Sequence, residues 1–241
     1  MPATSTASIR VRDEVAALKR ERTIDVAAEL FYERGYENTS LDVIAEHMGV
    51  TKPFIYAHFS SKAELLAEIC ARGIASSLQA MTGVLNRPGK PAALLAEMCR
   101  LFVRAVLDNQ RHIAIFAREE KNLAPQDFKR ISDMRREFDA RLVELLDEGV
   151  SRGDFRVADT RMAALAIGGM VSWAYVWYRA DGRLHPGDLA ESMTTLVMDM
   201  VGARQPRSSV AAPAKAPKPS APRPAGPKLP ARKKVAPTRR A

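Results

Sequence analysis

The chain has 241 residues, 46% hydrophobic and 27% charged, a globular balance compatible with one large core or two small ones. Its formal charge of +9 belongs to its end: Arg204–Arg240 hold 11 Lys and Arg and no Asp or Glu, leaving 26 basic against 28 acidic residues in 1–203. Bulk charge is therefore no argument that the body binds nucleic acid. Cys70 and Cys99 form no CxxC pair and the histidines are dispersed at 47, 58, 112 and 185, which speaks against a zinc motif and for two reduced, buried thiols.

The opening MPATSTASIRVRDEV has no apolar export signal, so a cytoplasmic protein is expected. Helical spacing starts at 13 and runs to 34, with Ile24, Ala27, Ala28 and Phe31 on one face and Gly35 as a left-handed stop. Thr39-Ser40-Leu41-Asp42 opens a second helix that ends at Met48, before Gly49. Thr51 caps a short third helix with Pro53 in its first turn, and Ser61-Lys62-Ala63-Glu64 starts a fourth that reaches about Leu85. Further helices are predicted over 92–108, 111–122, 126–151, 160–180 and 187–202, with no strand-like alternation of useful length. Met162–Tyr178 is a run of 17 uncharged residues, read as a helix buried on most sides by protein and not as a membrane span. Beyond Ala203, 9 of the 15 prolines fall among Ala, Lys and Arg, the composition of a disordered basic tail. The fold class is thus all-α, about nine helices, in three parts: an N-terminal arm and helix-turn-helix domain (1–66), a larger helical domain (67–203) and the tail (204–241).

Residues 41–62, LDVIAEHMGVTKPFIYAHFSSK, have helix-turn-helix spacing. Ile44, Ala45, Met48, Val50, Ile55 and Phe59 supply an inward face. Lys52, Pro53, Phe54, Tyr56, Ala57 and His58 are left to the outside, where an exposed ring and pyrrolidine suit thymine methyls. The stretch has two Lys against Asp42 and Glu46, so any recognition must come from placed groups.

Residues 20–66 resemble the DNA-binding domain of the TetR family of bacterial transcription regulators, through Gly35-Tyr36 with Thr39-Ser40, Ile44-Ala45 with Gly49-Val50, and Lys52, Tyr56, His58-Phe59 and Lys62. The resemblance implies a homodimer whose third helices enter adjacent major grooves of a near-palindromic operator. It assigns Thr39 and Ser40 to a phosphate at a helix N-terminus, Thr51 and Lys52 to base edges, Tyr56 and His58 to the backbone, and Lys62 to another phosphate. Tyr56 packed beneath the fourth helix, His58 as a solvated helix end, and Lys52 and Lys62 as plain surface charges are the competing readings. Phe54 and Ala57 depart from the family pattern and leave base preference open.

The same resemblance makes 67–203 a ligand-binding and dimerisation domain, with the last two helices pairing into a four-helix bundle. Ala164, Ala166, Gly168 and Gly169 would permit close approach, and Leu189, Met193, Leu196, Val197 and Met200 recur at helical spacing, a pattern that packing within the chain's own core would also explain. Phe102, Val106, Ile113, Phe116, Met134, Phe138, Trp173 and Trp177 are pocket candidates, each equally readable as ordinary core. The runs 116–123 and 173–184 resemble regulators of lipid, steroid or fatty-acid catabolism, several of which respond to acyl-CoA thioesters. Arg118 first, then Lys121 and Arg179, would meet the phosphates of such an effector. Lacking a phosphate loop, a Gly-x-Ser-x-Gly or a His-Glu-x-x-His, the chain is not expected to be an enzyme or to need a cofactor or metal. The competing functions are a repressor answering another hydrophobic molecule, such as one of an efflux pathway, and a DNA-compacting protein driven by its tail.

Overall fold

Between Ala3 and Arg34 the sequence has no glycine or proline, and the chain forms one helix, α1 (Ala3–Arg34). This computed structural model describes residues 3–203, with side chains from Asp13 onward. The helix starts ten residues before the periodicity does, because propagation needs only unbroken hydrogen bonding and not an apolar face. The segment read as an arm is thus largely helical from Ala3 on; the tail over 204–241 lies outside the described residues. Gly35, at φ 84°, ends α1, its N–H donating to the Phe31 carbonyl at 3.0 Å.

Next come α2 (Leu41–Met48), α3 (Lys52–Tyr56) and α4 (Lys62–Leu85). Ser40 caps α2 by accepting from the Val43 N–H at 3.2 Å, and Gly49 at φ 66° turns the chain toward α3. Ser61 caps α4, while the Glu64 carboxylate reaches back to Ser60, N–H and hydroxyl both, which holds it below the usual carboxylate range. Then follow α5 (Pro91–Asp108), α6 (Gln110–Glu119), a 3-10 turn (Glu120–Asn122), α7 (Pro125–Ser151), α8 (Thr160–Ser172), α9 (Ala174–Trp177) and α10 (Pro186–Met200). Nine helices have five residues or more, and the described residues contain no strand.

One helix predicted over 160–180 is broken at Trp173. The Gln110 side-chain amide donates to the Tyr175 and Tyr178 carbonyls, both at 2.9 Å. These oxygens are satisfied without helix N–H groups, so the chain leaves the helix after Trp177 at no hydrogen-bonding cost.

Two buried clusters organise the fold. Ile24, Ala28 and Phe31 of α1 pack with Ile44, Ala45, Ile55 and Phe59 and with Leu65, Leu66, Ile69 and Cys70 of α4, and this cluster extends to Ile115 of α6 and Ile131 of α7. The second joins Met81 and Val84 of α4 to α5, α7, α8 and α10. α4 therefore runs through both. Cys70 and Cys99 are free and buried, and burial pushes the Cys70 thiol up to about 12. No helix among the described residues is long and apolar enough to cross a membrane.

Two expectations for the last helices are corrected. Leu189, Met193 and Val197 of α10 face the core at 0–5% exposure, leaving only Leu196 and Met200 outside. Nor is α8 buried on most sides: Met162, Leu165, Ala166, Gly169 and Trp173 form an open stripe that Val176 and Trp177 continue. Seven uncharged positions on one side of a helix look like core in a sequence; what covers them need not be the same chain.

Candidate nucleic-acid interface and cavity

Within the helix-turn-helix, Ile44, Ala45, Ile55 and Phe59 are buried and Met48 and Val50 partly so, as the inward face requires. Outward lie Ser40, Thr51, Lys52, Pro53 and Tyr56, the last 55% exposed. Thr51 occupies the cap position of α3 but its hydroxyl makes no cap bond, so that donor stands free at the start of the helix. The Lys52 ammonium is 2.5 Å from the Asp42 carboxylate of α2, a bond that raises its proton affinity. This pair ties α3 to α2 across the turn, and it must open if Lys52 is to reach a base edge.

Three assigned residues have surroundings within the chain that the sequence did not show. Thr39 is fully buried, its hydroxyl donating to the Gly35 carbonyl at 3.0 Å, so it locks the α1–α2 corner and is not available to a phosphate. Phe54 is half-buried, not outside: its ring lies edge-on to His58 at 5.6 Å and beneath the Lys19 ammonium at 5.4 Å. Lys62 donates to the Tyr36 carbonyl at 2.9 Å and sits 4.1 Å over the Tyr36 ring. Its ammonium pins the α1–α2 connection onto α4, a positioning role the sequence did not suggest.

Between α4, α5, α6, α7 and α8 lies a cavity of about 370 Å³. Of the candidate residues, Phe102, Val106, Ile113, Phe116 and Trp173 line it; Phe138 does not, and its ring lies tilted against Phe102 at 4.6 Å between centroids. Met134 and Trp177 also lie off the lining. Missed residues include Cys70, Gly73, Ile74 and Ser77 on α4 and Ile131 on α7; the small ones among them carry no apolar signature but are what makes room. Gly73 faces Ile113 so closely that a Cβ would meet its Cγ1 at 2.9 Å.

Arg118 is not at this cavity. Its guanidinium lies over the Tyr32 ring at 4.9 Å and donates to the Tyr32 carbonyl at 3.2 Å, bracing α6 on α1. Lys121 and Arg179 are likewise off the lining, Arg179 facing Asp181 at 3.8 Å. The cation at the mouth is exposed Arg135, 5.7 Å over the Phe116 ring, with Glu120 nearby. Sequence reading passed over Arg135 because it is one of several charges on the outer face of α7.

Next to this wall the helices are tied to α1. Arg72 of α4, one residue from Gly73, pairs with Glu21 and with Asp25 at 2.8 Å. His112 of α6, one residue from Ile113, is beside it with both ring nitrogens buried and unpartnered. Burial first, then repulsion from Arg72, lowers its proton affinity, so the imidazole is neutral at pH 7. No group of side chains suited to a metal ion occurs among the described residues.

Comparison with known proteins agrees with this geometry. Residues 24–69 match the family model described as bacterial regulatory proteins, tetR family, and residues 88–201 that of the tetracyclin repressor-like C-terminal domain. The HTH-type transcriptional repressor KstR2 of Rhodococcus jostii (strain RHA1) is 29% identical over 184 residues, 75% of this chain and 90% of that one. A crystal structure of a transcriptional regulator of the TetR/AcrR family from Thermobifida fusca YX-ER1 is 32% identical, covers 75% of this chain and 96% of the other, and superposes with a TM-score of 0.62. AibR, in a crystal structure with isovaleryl coenzyme A and operator DNA, is 26% identical over 74% of this chain and 97% of its own, with a TM-score of 0.65.

Proposed function

The chain belongs to the TetR family of bacterial transcription regulators, and on that premise we propose that it is a homodimeric repressor of lipid, steroid or fatty-acid catabolism genes, released from its operator by an acyl-CoA thioester. DNA binding falls to Ser40, Thr51, Lys52, Pro53 and Tyr56, presented together by α2 and α3. Pairing falls to the open stripe of α8 and to Leu196 and Met200 of α10, the uncharged surface that a second copy would cover. The effector is assigned to the cavity, apolar within and with Arg135 at its mouth. Residues 1–66 then act as the reading head, 67–203 as sensor and dimer, and the basic tail as a source of salt-dependent, sequence-independent attraction.

The observation that carries this reading is that α4 lines the cavity with Cys70, Gly73, Ile74 and Ser77 and begins at Lys62, the residue that holds the α1–α2 corner. A ligand releases DNA only by binding better to a form in which the two reading heads are wrongly spaced. A cavity along the helix that sets that spacing supplies the required linkage. The name of KstR2 favours a repressor, and that of AibR, in complex with isovaleryl coenzyme A and operator DNA, favours an acyl-CoA.

The test is a thermal-shift and operator-release panel of short, medium, long and steroid-derived acyl-CoAs. One of them is expected to raise the melting temperature and to weaken operator binding about 5–150-fold, the usual range of allosteric coupling. No shift and no release with any of them would overturn the effector class.

A further inference from the structure

Asp42 stands where a DNA-binding surface has least use for a carboxylate. It is the second residue of α2, and its carboxylate lies 2.5 Å from the ammonium of Lys52, the first residue of α3. Both side chains are open, Lys52 at 62% and Asp42 at 51%, on the outer surface that Thr51, Pro53 and Tyr56 share. An ion pair so exposed adds little to stability, so tying α2 to α3 is a weak reason for it. Lys62, the other lysine of residues 41–62, is held by the Tyr36 carbonyl. Asp42 therefore cancels the cation of this stretch that is turned toward DNA.

Among phosphates a carboxylate is repelled unless a donor meets it. The donors that the major groove presents are base amino groups, N4 of cytosine and N6 of adenine. If Lys52 reaches a base edge, the Asp42 oxygen beside it reaches the same edge. Cytosine N4 and guanine O6 are joined within one base pair by an N–H···O bond of about 2.9 Å, a spacing close to that of the Asp42 oxygen and the Lys52 nitrogen. A carboxylate over N4 thus leaves the ammonium beside O6 and N7 of the paired guanine, two adjacent acceptors that suit a lysine. At an A·T pair a carboxylate over N6 leaves the ammonium a single acceptor, N7 on one side or thymine O4 on the other.

We infer that Asp42 is a specificity-determining residue, which with Lys52 reads one C·G pair in each half-site. Asp42 accepts from cytosine N4, and Lys52 donates to guanine O6 and N7. This assignment rests on the DNA-binding reading above and names a base pair that α2 and α3 recognise. At that pair each ion exchanges the other for a base group as the ion pair opens. At other sequences the carboxylate is left among phosphates without a donor, so the same residue that reads the operator rejects unrelated DNA.

Duplexes are selected from a random-sequence library with the full chain, and the selection is repeated with Asp42→Ala. The first selection is expected to return a half-site with a C·G pair that becomes degenerate in the second, the other positions being unchanged. In the selected duplex that cytosine is then replaced by N4-methylcytosine, which removes the N4–H facing the groove. Binding of the unaltered chain should weaken at least about fivefold, and that of Asp42→Ala much less. Replacement of the paired guanine by 7-deazaguanine, which lacks N7, should likewise weaken the unaltered chain more than Lys52→Met. The methylation measurement on the unaltered chain needs no variant, so it decides even if Asp42→Ala fails to fold. A half-site without a C·G pair, a motif that Asp42→Ala leaves intact at every position, or methylation without effect on the unaltered chain overturns the inference and leaves the ion pair as a tie between helices. If the full chain selects no sequence, the DNA-binding reading itself fails; a selected half-site separates the two failures.

Discussion

The Lys62 ammonium lies 2.9 Å from the Tyr36 carbonyl oxygen and 4.1 Å over the Tyr36 ring, joining the first turn of α4 to the loop between α1 and α2. It combines a charge-assisted hydrogen bond with a cation–π contact at a half-buried site. Lys62→Met should lower stability by roughly 1–2 kcal/mol, visible as a fall of a few degrees in melting temperature without DNA. If Lys62 were only a phosphate clamp, operator affinity would fall with the melting temperature unchanged.

Lys52 is held by Asp42, so a DNA base must compete with a carboxylate for it. Asp42→Asn should release the ammonium and raise affinity for unrelated duplexes more than for operator. It should also steepen the salt dependence by about 0.9 per protomer, as expected for one added phosphate contact. Titrations at several salt concentrations, with operator and with random duplex, measure both.

Arg135 and Arg118 make opposite predictions. Arg135→Leu should weaken acyl-CoA binding at least about tenfold, since a charged hydrogen bond contributes about 1.5–3 kcal/mol, and should leave operator binding alone. Arg118→Leu cuts the brace to Tyr32 and should leave effector affinity intact while altering how far the effector weakens operator binding. Calorimetry with the effector and DNA release with both variants decide it. Equal effects on effector affinity would remove Arg135 from the mouth.

His112 sets a pH dependence. Its proton affinity is lowered in the folded chain, so between its folded pKa and about 6.5 the unfolded state binds more protons and stability rises with pH. Acidification from pH 7.5 to 5.5 should therefore destabilise the protein. His112→Leu, which removes the unpartnered nitrogens, should lessen that loss. An identical pH slope in denaturant titrations of the two proteins would remove His112 from the account.

Leu165→Glu and Leu196→Glu lie on the open surface of α8 and α10 at 59% and 55% exposure, and Met193→Glu lies in the core at 5%. The first two should give folded monomers that have lost operator affinity. The third should unfold, because a carboxylate buried without a partner costs several kcal/mol. Sedimentation together with circular dichroism separates the outcomes; dimers from both surface variants would place the pairing face elsewhere.

The helices and their class were legible in the chain because starts and stops are local chemistry. Ser40 and Ser61 cap with their own hydroxyls, Gly35 and Gly49 take the left-handed turn, and four helices have proline in their first turn. The inward face of the helix-turn-helix was equally plain, since Ile44, Ala45, Ile55 and Phe59 follow from period alone. The stop after Trp177 was not, because the Tyr175 and Tyr178 carbonyls are taken by Gln110, more than sixty residues away in sequence.

Chain order by itself determined most helix starts and stops, which side of most helices is apolar, and that Lys52, Tyr56 and their neighbours share the outer face of the helix-turn-helix. Only the tertiary structure decided what each polar group is bonded to. Thr39 turned inward and Lys62 and Arg118 became struts on Tyr36 and Tyr32, while Arg135 came to stand over the cavity. Periodicity reports the direction of a side chain from its own helix axis. The partner at its tip is set by other helices distant in the chain, and so is the difference between a buried apolar residue and an exposed one.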